Sequence, residues 1–272
     1  MTDRKITVII NARNAADCIE PTLKSVGRGI FDEVLVCDME SEDATAEIAR
    51  RYGCRVVTFP KAEHTCVEPA RMFALQNASH DYVLVVAADE IVPRALRDYL
   101  YERLAEPEPP AGIRIPRRNY FLGRFMHGTY PDHILRFLRR EGCRWAPHAH
   151  AIPQVEGRVE SIPASRHDLA FIHVPRENMS VLLAKADAYT ESERIRRQER
   201  GEKATLGKLM VKPAFVFFKL YILKGGFRDG TAGFIRAAYN SFYKFVSLSK
   251  MYEDRIGLAD GRHPDIDSLA KE

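Results

Sequence analysis

The chain has 272 residues, 46% of them apolar and 29% charged, with a formal net charge of +4. That length suits one large domain, or one domain with an extension, and the composition is that of an ordinary globular protein rather than a low-complexity chain. A charge this small gives no footing for nucleic-acid binding. The cysteines, five in all and without a CxxC pair, argue against a zinc knuckle or disulfide framework and fit reduced thiols in the cytosol.

Met1 to Lys5 are expected to lead directly into a strand, without a signal peptide. Four β-rich runs then follow in the first ninety residues: Ile6 to Ile10, Glu33 to Cys37, Arg55 to Phe59 and Tyr82 to Val86. Each is nearly continuously apolar, as strands covered on both faces are. Helical patterns lie between them. Asp17 and Glu20 resemble a capping box ahead of Ile19, Leu23 and Val26. Asp43 to Tyr52 carries Ala46, Ile48 and Ala49, and Val67 to Asn77 carries Ala70, Phe73, Ala74 and Leu75. Strand, helix and strand at this spacing predict right-handed βαβ units in an α/β fold with a mostly parallel sheet and flanking helices. After the breaker Glu106 to Pro110, Gly112 to Pro116 and Ile134 to Leu138 read as further strands, set among Arg114, Arg117, Arg118, Arg124, Arg136, Arg139, Arg140 and Arg144.

From about Pro175 the pattern turns helical, so the expected division is 1–174 for a sheet domain and 175–272 for a C-terminal helical extension. Glu191 to Arg200 is a charged run, expected to be a solvated helix face. Lys208 to Lys250 holds ten aromatic residues and eight basic ones against the single acid Asp229. No apolar stretch reaches the ~20 residues of a membrane span. Basic, aromatic and apolar residues together suggest two helices, broken at Gly225-Gly226 and Asp229-Gly230, that lie in a membrane interface. A hairpin packed on the sheet domain, or a dimer contact, is the alternative.

Carboxylates sit where the parallel strands end. Asp38 and Asp43 follow Val34-Leu35-Val36, and Asp89-Glu90 follows Tyr82 to Val86. Open α/β sheets bind ligands at the C-terminal ends of their strands. A carboxylate there can hold a divalent cation, and the cation a diphosphate. Singly, such an Asp caps a helix or ends a strand; the set in this order favours a site.

The stretches Ile6-Thr7-Val8-Ile9-Ile10-Asn11, Thr22 to Val26, Asp38 to Thr45 and Ala87-Ala88-Asp89-Glu90 resemble those of family 2 glycosyltransferases, the last at that family's D-x-D position. Gly128 to Phe137, His150 to Gly157 and Phe171-Ile172-His173 are similar to a bacterial subgroup, the lipopolysaccharide core β-glucosyltransferases. The resemblance implies a GT-A fold, a nucleotide-sugar donor (UDP-linked), Mg²⁺ or Mn²⁺, inversion at the anomeric carbon, and a cell-envelope acceptor at the cytoplasmic face of the inner membrane. It implies that Asn11, Asp38, Asp43 and Arg71 contact the donor and that Asp89 ligates the metal; Arg13, in a loop that departs from the family pattern, could contact the diphosphate instead. Asp43 is open to a second role, capping the helix that follows it. His150 or His173 could add a ligand.

An inverting transfer needs a base on the acceptor hydroxyl. Asp132, in a Gly/Pro-punctuated loop before a strand, is the candidate, with an ion pair to Arg136 or a neighbouring arginine as the alternative role. Glu90 is the second candidate. The arginines could grip an anionic glycan or glycolipid acceptor, and Trp145 and Tyr130 could stack on a sugar, Trp145 being equally suited to the core.

Two departures bear on activity. Ala87 stands where the family has its first D-x-D acid, and Asn11-Ala12-Arg13-Asn14 where it often has Asn-Glu. They keep open a second class of function, a catalytically silent GT-A-like module that binds glycan or scaffolds an assembly. A nucleotidyltransferase would need a Gly-rich loop after Ile10 to cradle a triphosphate, and that loop is missing.

Overall fold

The structure is a computed structural model that describes residues 4–27, 29–60, 68–147, 151–175 and 178–257. It forms two compact units. One runs to Phe125 and resumes at Thr129; the other comprises Met126–Gly128 and the C-terminal helices.

In the first unit β1 (Ile6–Ala12), α1 (Ile19–Val26), β2 (Glu33–Asp38), α2 (Thr45–Arg51), β3 (Arg55–Thr58), α3 (Pro69–Asn77) and β4 (Tyr82–Ala87) alternate as expected. They are followed by β5 (Glu90–Ile91), α4 (Arg94–Leu104), β6 (Gly112–Ile115), β7 (Arg117–Phe121), β8 (Arg124–Phe125), β9 (Ile134–Arg139), β10 (Val159–Ser161) and β11 (Phe171–His173). The main sheet has seven strands in the order β10-β6-β9-β4-β1-β2-β3, and a second sheet has four, β5-β11-β7-β8. Strands β1 to β4 are parallel to one another, while β9 runs antiparallel between β4 and β6. The fold is therefore α/β with a mostly parallel sheet.

The period-2 geometry of a strand sends alternate side chains of β1 into opposite layers. Ile6, Val8 and Ile10 join Ile19, Leu23 and Val26 of α1 in one core, and Ile9 joins Ala70, Ala74 and Leu75 of α3 in the other. All of these are buried, and each large aliphatic side chain contributes roughly 1.5–3 kcal/mol. This two-sided burial is why the first strands read as unbroken apolar runs.

Two expectations need correction. β3 is an edge strand with both ends exposed, so it is not covered like its neighbours. Asp17 and Glu20 do not form a capping box. Helix α1 begins after Cys18 without a side-chain cap, because the carbonyl of Ala15 already receives the amides of Cys18 and Ile19. The second sheet was not among the expected strands: its strands are two to five residues long and include Arg117-Arg118-Asn119.

The second unit is built from α5 (Met179–Glu199), α6 (Leu206–Phe218) and α7 (Gly230–Ile256). A π-helical turn, Lys219–Leu223, and a 3₁₀ turn, Gly226–Asp229, join α6 to α7, so the expected break at the glycines is present. The turn is tight: a Cβ on Gly233 would lie 1.9 Å from the Gly226 carbonyl oxygen. The buried Asp229 carboxylate accepts from the amides of His127 (2.9 Å) and Gly128 (3.1 Å), which ties Met126–Gly128 to this unit. The charged run is not simply solvated. Arg194 reaches Asp254 at 2.7 Å and Glu193 reaches Lys244 at 2.7 Å, joining α5 to α7 through half-buried ion pairs. Among the described residues no helix is long and apolar enough to cross a membrane.

Candidate active site

The parallel register aligns the strand ends. Asn11 lies opposite Cys37 and Ala87, and Ala12 opposite Asp38, so β1, β2 and β4 finish together at one edge of the sheet. Asn11 is buried and serves as a hinge point for Arg71: its Oδ1 accepts from Arg71 Nη1 at 3.2 Å, and its Nδ2 donates to Ala70 O at 3.3 Å. Burial, and then the positive charge of Arg136, pull the Arg71 guanidinium down to about 9, which still leaves it protonated at neutral pH. Burial likewise lowers Arg136. The two guanidiniums stand 5.2 and 6.0 Å from the ring of Trp145. Trp145 is core: it is buried and its Nε1 donates to Ala151 O at 3.0 Å. Four buried polar atoms at this edge have no hydrogen-bond partner among the described residues, namely Arg13 Nε, Asp38 Oδ1, Arg71 Nε and Arg136 Nη1. Buried polar atoms in that state are expected to meet a ligand or water.

Arg13 and Asp43 lie in the loops just above. Arg13 faces Glu42 at 3.9 Å. Asp43 is exposed and fully engaged: it accepts from the amides of Ala16 (3.0 Å) and Thr45 (2.9 Å) and from the Thr45 hydroxyl. These bonds outweigh the effect of burial and hold its carboxyl below the usual range. In this geometry Asp43 braces the loop ahead of α2 and its first residue, Thr45, but it is not the helix cap: the N-cap is Ala44, which has no side-chain cap.

The second sheet supplies the rest. In register, β11 places His173 opposite Glu90 of β5 and opposite Asn119 of β7. His173 Nε2 faces Asp89 Oδ2 at 3.4 Å, and His173 Nδ1 meets Asn119 Oδ1 at 2.8 Å. Asn119 Nδ2 donates to Asp132 Oδ2 at 2.7 Å. Arg117 closes the chain, giving Nε (3.0 Å) and Nη2 (2.7 Å) to the same Asp132 oxygen and Nη1 to Glu90 Oε1 at 3.1 Å. One polar path thus runs Asp89–His173–Asn119–Asp132–Arg117–Glu90.

Electrostatics fixes the protonation of its acids. Burial raises the Asp89 carboxyl, but the His173 ring outweighs it and the net shift is downward. At Asp132 burial is overcome by Arg117 and Asn119, and at Glu90 by Arg136 and Arg117. All three are carboxylates at neutral pH. Glu90 is buried completely, with Oε2 accepting from the Ala87 amide at 2.8 Å. It anchors Arg117, and its placement is not that of a base that meets an acceptor. Asp132 has the ion pair anticipated as its alternative, but with Arg117 rather than Arg136. Its side chain is 35% exposed, and Oδ1 makes no hydrogen bond among the described residues.

The donor set suits a divalent cation. Cis ligands on an octahedral ion with bonds of about 2.1 Å lie about 3.0 Å apart, close to the 3.4 Å between Asp89 Oδ2 and His173 Nε2. One carboxylate and one imidazole leave the remaining positions to diphosphate oxygens and water. Among the described residues no three His, Cys, Asp or Glu side chains converge. His150 lies outside the described residues. Arg117 and Asn119 are the residues that sequence reasoning undervalued. Their signal is a polar i, i+2 pair, which puts both on one face of a strand. Several of the arginines are committed to structure: Arg139 donates to Glu156 O and Arg140 to Ala78 O. Tyr130 donates to Ala164 O at 2.6 Å and stacks on His167.

Residues 7–152, more than half of the chain, match the model of the Glycosyl transferase family 2. The chain belongs to that family. It is similar to the lipopolysaccharide core biosynthesis glycosyltransferase LpsC of Rhizobium meliloti, with 27% identity over 81% of this chain and 83% of that one. An uncharacterized glycosyltransferase of Rickettsia bellii is 24% identical over 92% of this chain and 87% of its own. Among solved structures, the mannosyltransferase PcManGT from Pyrobaculum calidifontis, in complex with GDP-Man and Mn²⁺, superposes with a TM-score of 0.51. It is 18% identical and covers 99% of this chain and 80% of that one, a likeness of fold. The chain described here is thus a family 2 glycosyltransferase with a GT-A-type fold.

Proposed function

We propose that this glycosyltransferase moves a sugar, with inversion, from a UDP-linked donor to an anionic glycan or glycolipid of the cell envelope, of lipopolysaccharide-core type. The observation that carries the reading is the Asp89–His173 pair, two cation-binding atoms 3.4 Å apart beside the orphaned Asp38 and Arg71 atoms. Similarity to LpsC supports the choice of acceptor. Asp38, Asn11 and Arg71 receive the nucleoside, and Arg13 the diphosphate. Asp43 acts on the donor through the loop it braces. Mg²⁺ or Mn²⁺ on Asp89 and His173 would neutralise charge on the leaving diphosphate. Asp132 Oδ1 takes the acceptor hydroxyl proton as the new C–O bond forms opposite the breaking one. Arg117 and Asn119 keep Asp132 ionised for that step.

The helices of the second unit, which fall within the expected 175–272 extension, fit a role as a peripheral anchor at the cytoplasmic face of the inner membrane. Met210, Val211, Phe215 and Phe218 of α6 are exposed, at 68, 65, 54 and 48%. Lys208, Lys212 and Lys219 flank them, and no acid occurs from Lys203 to Arg228. An outward apolar stripe edged with lysine suits an anionic lipid surface. In flotation with anionic vesicles the full chain should rise with the lipid and Met210→Glu/Phe215→Glu should not; equal flotation of both would remove the anchor.

The test of the activity is a panel of UDP- and GDP-sugars, with and without EDTA, read by donor hydrolysis and thermal shift. One UDP-sugar should respond, EDTA should abolish the response, and Asp89→Ala should cost about 10²-fold or more in turnover together with the metal dependence. Unchanged turnover in Asp89→Ala overturns the assignment. Ala87, which leaves β4 without the family's first acid, favours one other reading, a silent glycan-binding or scaffold module. That reading requires no metal-dependent donor binding at all.

A further inference from the structure

We infer that Asn119 is a positioning residue for both halves of the reaction: its amide holds His173 with Nε2 facing Asp89, as the ring atom to meet a divalent cation, and, through its other end, aims Asp132. The inference rests on the metal site proposed above.

The amide's orientation follows from its neighbours. An ionised carboxylate only accepts hydrogen bonds, so the group 2.7 Å from Asp132 Oδ2 is the amide nitrogen and not the oxygen. The amide oxygen therefore faces His173 Nδ1 at 2.8 Å. An amide oxygen also only accepts, so Nδ1 carries hydrogen and donates. Nε2 is then the ring atom left to bind a cation, and it is the one that faces Asp89 Oδ2. Metal-binding histidines depend on such a partner at the second ring nitrogen, which fixes tautomer and ring plane.

The same amide completes the grip on Asp132. Oδ2 receives three hydrogen bonds, two from Arg117 and one from Asn119, and this leaves Oδ1 as the oxygen turned to an acceptor. Both partners of Asn119 are held firmly. His173 is its register neighbour across the β7–β11 ladder, and Arg117, on the same face of β7, is pinned by the buried Glu90.

The two ends of the amide are separable by substitution. Asn119→Asp keeps an acceptor for Nδ1–H and sets a second negative charge against Asp132. Asn119→Leu, of similar shape, removes both bonds. Full-length protein is titrated with Mn²⁺ in the presence of UDP, read by calorimetry or by the loss of free-Mn²⁺ electron paramagnetic signal, with no turnover involved. Asn119→Leu should bind Mn²⁺ about 10-fold more weakly than wild type, whereas Asn119→Asp should stay within about 3-fold of it. With the responding UDP-sugar, kcat should fall about 10-fold or more in both. A residue that merely holds β7 in place would move both readouts together in both variants.

Wild-type Mn²⁺ affinity in Asn119→Leu, or equal loss of Mn²⁺ in the two variants, overturns the inference while the metal site stands. Absence of Mn²⁺ binding in the wild type with UDP overturns the metal site, and this inference with it.

Discussion

The two ends of the parallel sheet carry similar residues and treat them differently. At the N-terminal end Glu33 is saturated: it accepts from Thr7 Oγ1 (2.6 Å), Arg55 Nε (2.8 Å), Ser79 N (2.9 Å) and Ser79 Oγ (2.8 Å). Burial raises its carboxyl, and these bonds more than reverse the effect, bringing it from an ordinary 4.5 to about 2. At the C-terminal end Asp38 is buried with one oxygen bonded only to the Ser41 amide, at 3.2 Å, and the other to nothing among the described residues. A fully bonded carboxylate stabilises the fold; an under-bonded one is held ready for something else. The fold is secured at one end and the chemistry is kept at the other.

Substitutions at the two ends sharpen that contrast. The largest effect is expected at the chemical end. Asp132→Asn should lower kcat by about 10²–10³-fold, with a melting temperature near wild type, since Asn still accepts from Arg117. Steady-state kinetics with the responding donor checks this. Next comes the structural end. Glu33→Gln should cost about 2 kcal/mol in urea unfolding with kinetic constants unchanged. The folded carboxyl titrates below the unfolded one, so its contribution is present above pH 4.5 and lost as pH falls toward about 2. Wild type should therefore lose its advantage over Glu33→Gln across that window. Asp38→Asn should do the reverse of Glu33→Gln, raising donor KM about 10-fold, or about 1.4 kcal/mol, while moving stability by about 0.5 kcal/mol or less. A large stability loss there would erase the distinction between the ends. The smallest effect is at Asp43, where Asp43→Ala removes the hydrogen bonds that brace the loop ahead of α2 and should cost about 1 kcal/mol in unfolding free energy.

How much of this could be read in advance depended on burial. The strands of the first ninety residues were legible because both faces are covered, and continuous apolar runs are the imprint of that environment. β3 broke the rule because an edge strand meets solvent. The strand-end positions of Asn11, Asp38 and Asp89 were legible for the same reason, since the end of an apolar run marks where the chain leaves the sheet. The second sheet was not legible. Two- and three-residue strands leave no period to detect, and Arg117 and Asn119 look like surface residues until the partners that neutralise them are in place. The charged run of α5 misled in the same way: its acids and bases pair with α7, sixty residues further along the chain, as Arg194 with Asp254 shows.

The sequence by itself determined the layers of the α/β domain, the carboxylates at its strand ends and the family resemblance, because local periodicity and short motifs carry that information without reference to distant residues. Only the tertiary structure decided that His173 faces Asp89, that Asn119 joins it to Asp132, and that Arg117 rather than Arg136 holds the proposed base. Those contacts span up to eighty-four residues of chain, and each depends on strand pairing too short to leave a pattern of its own.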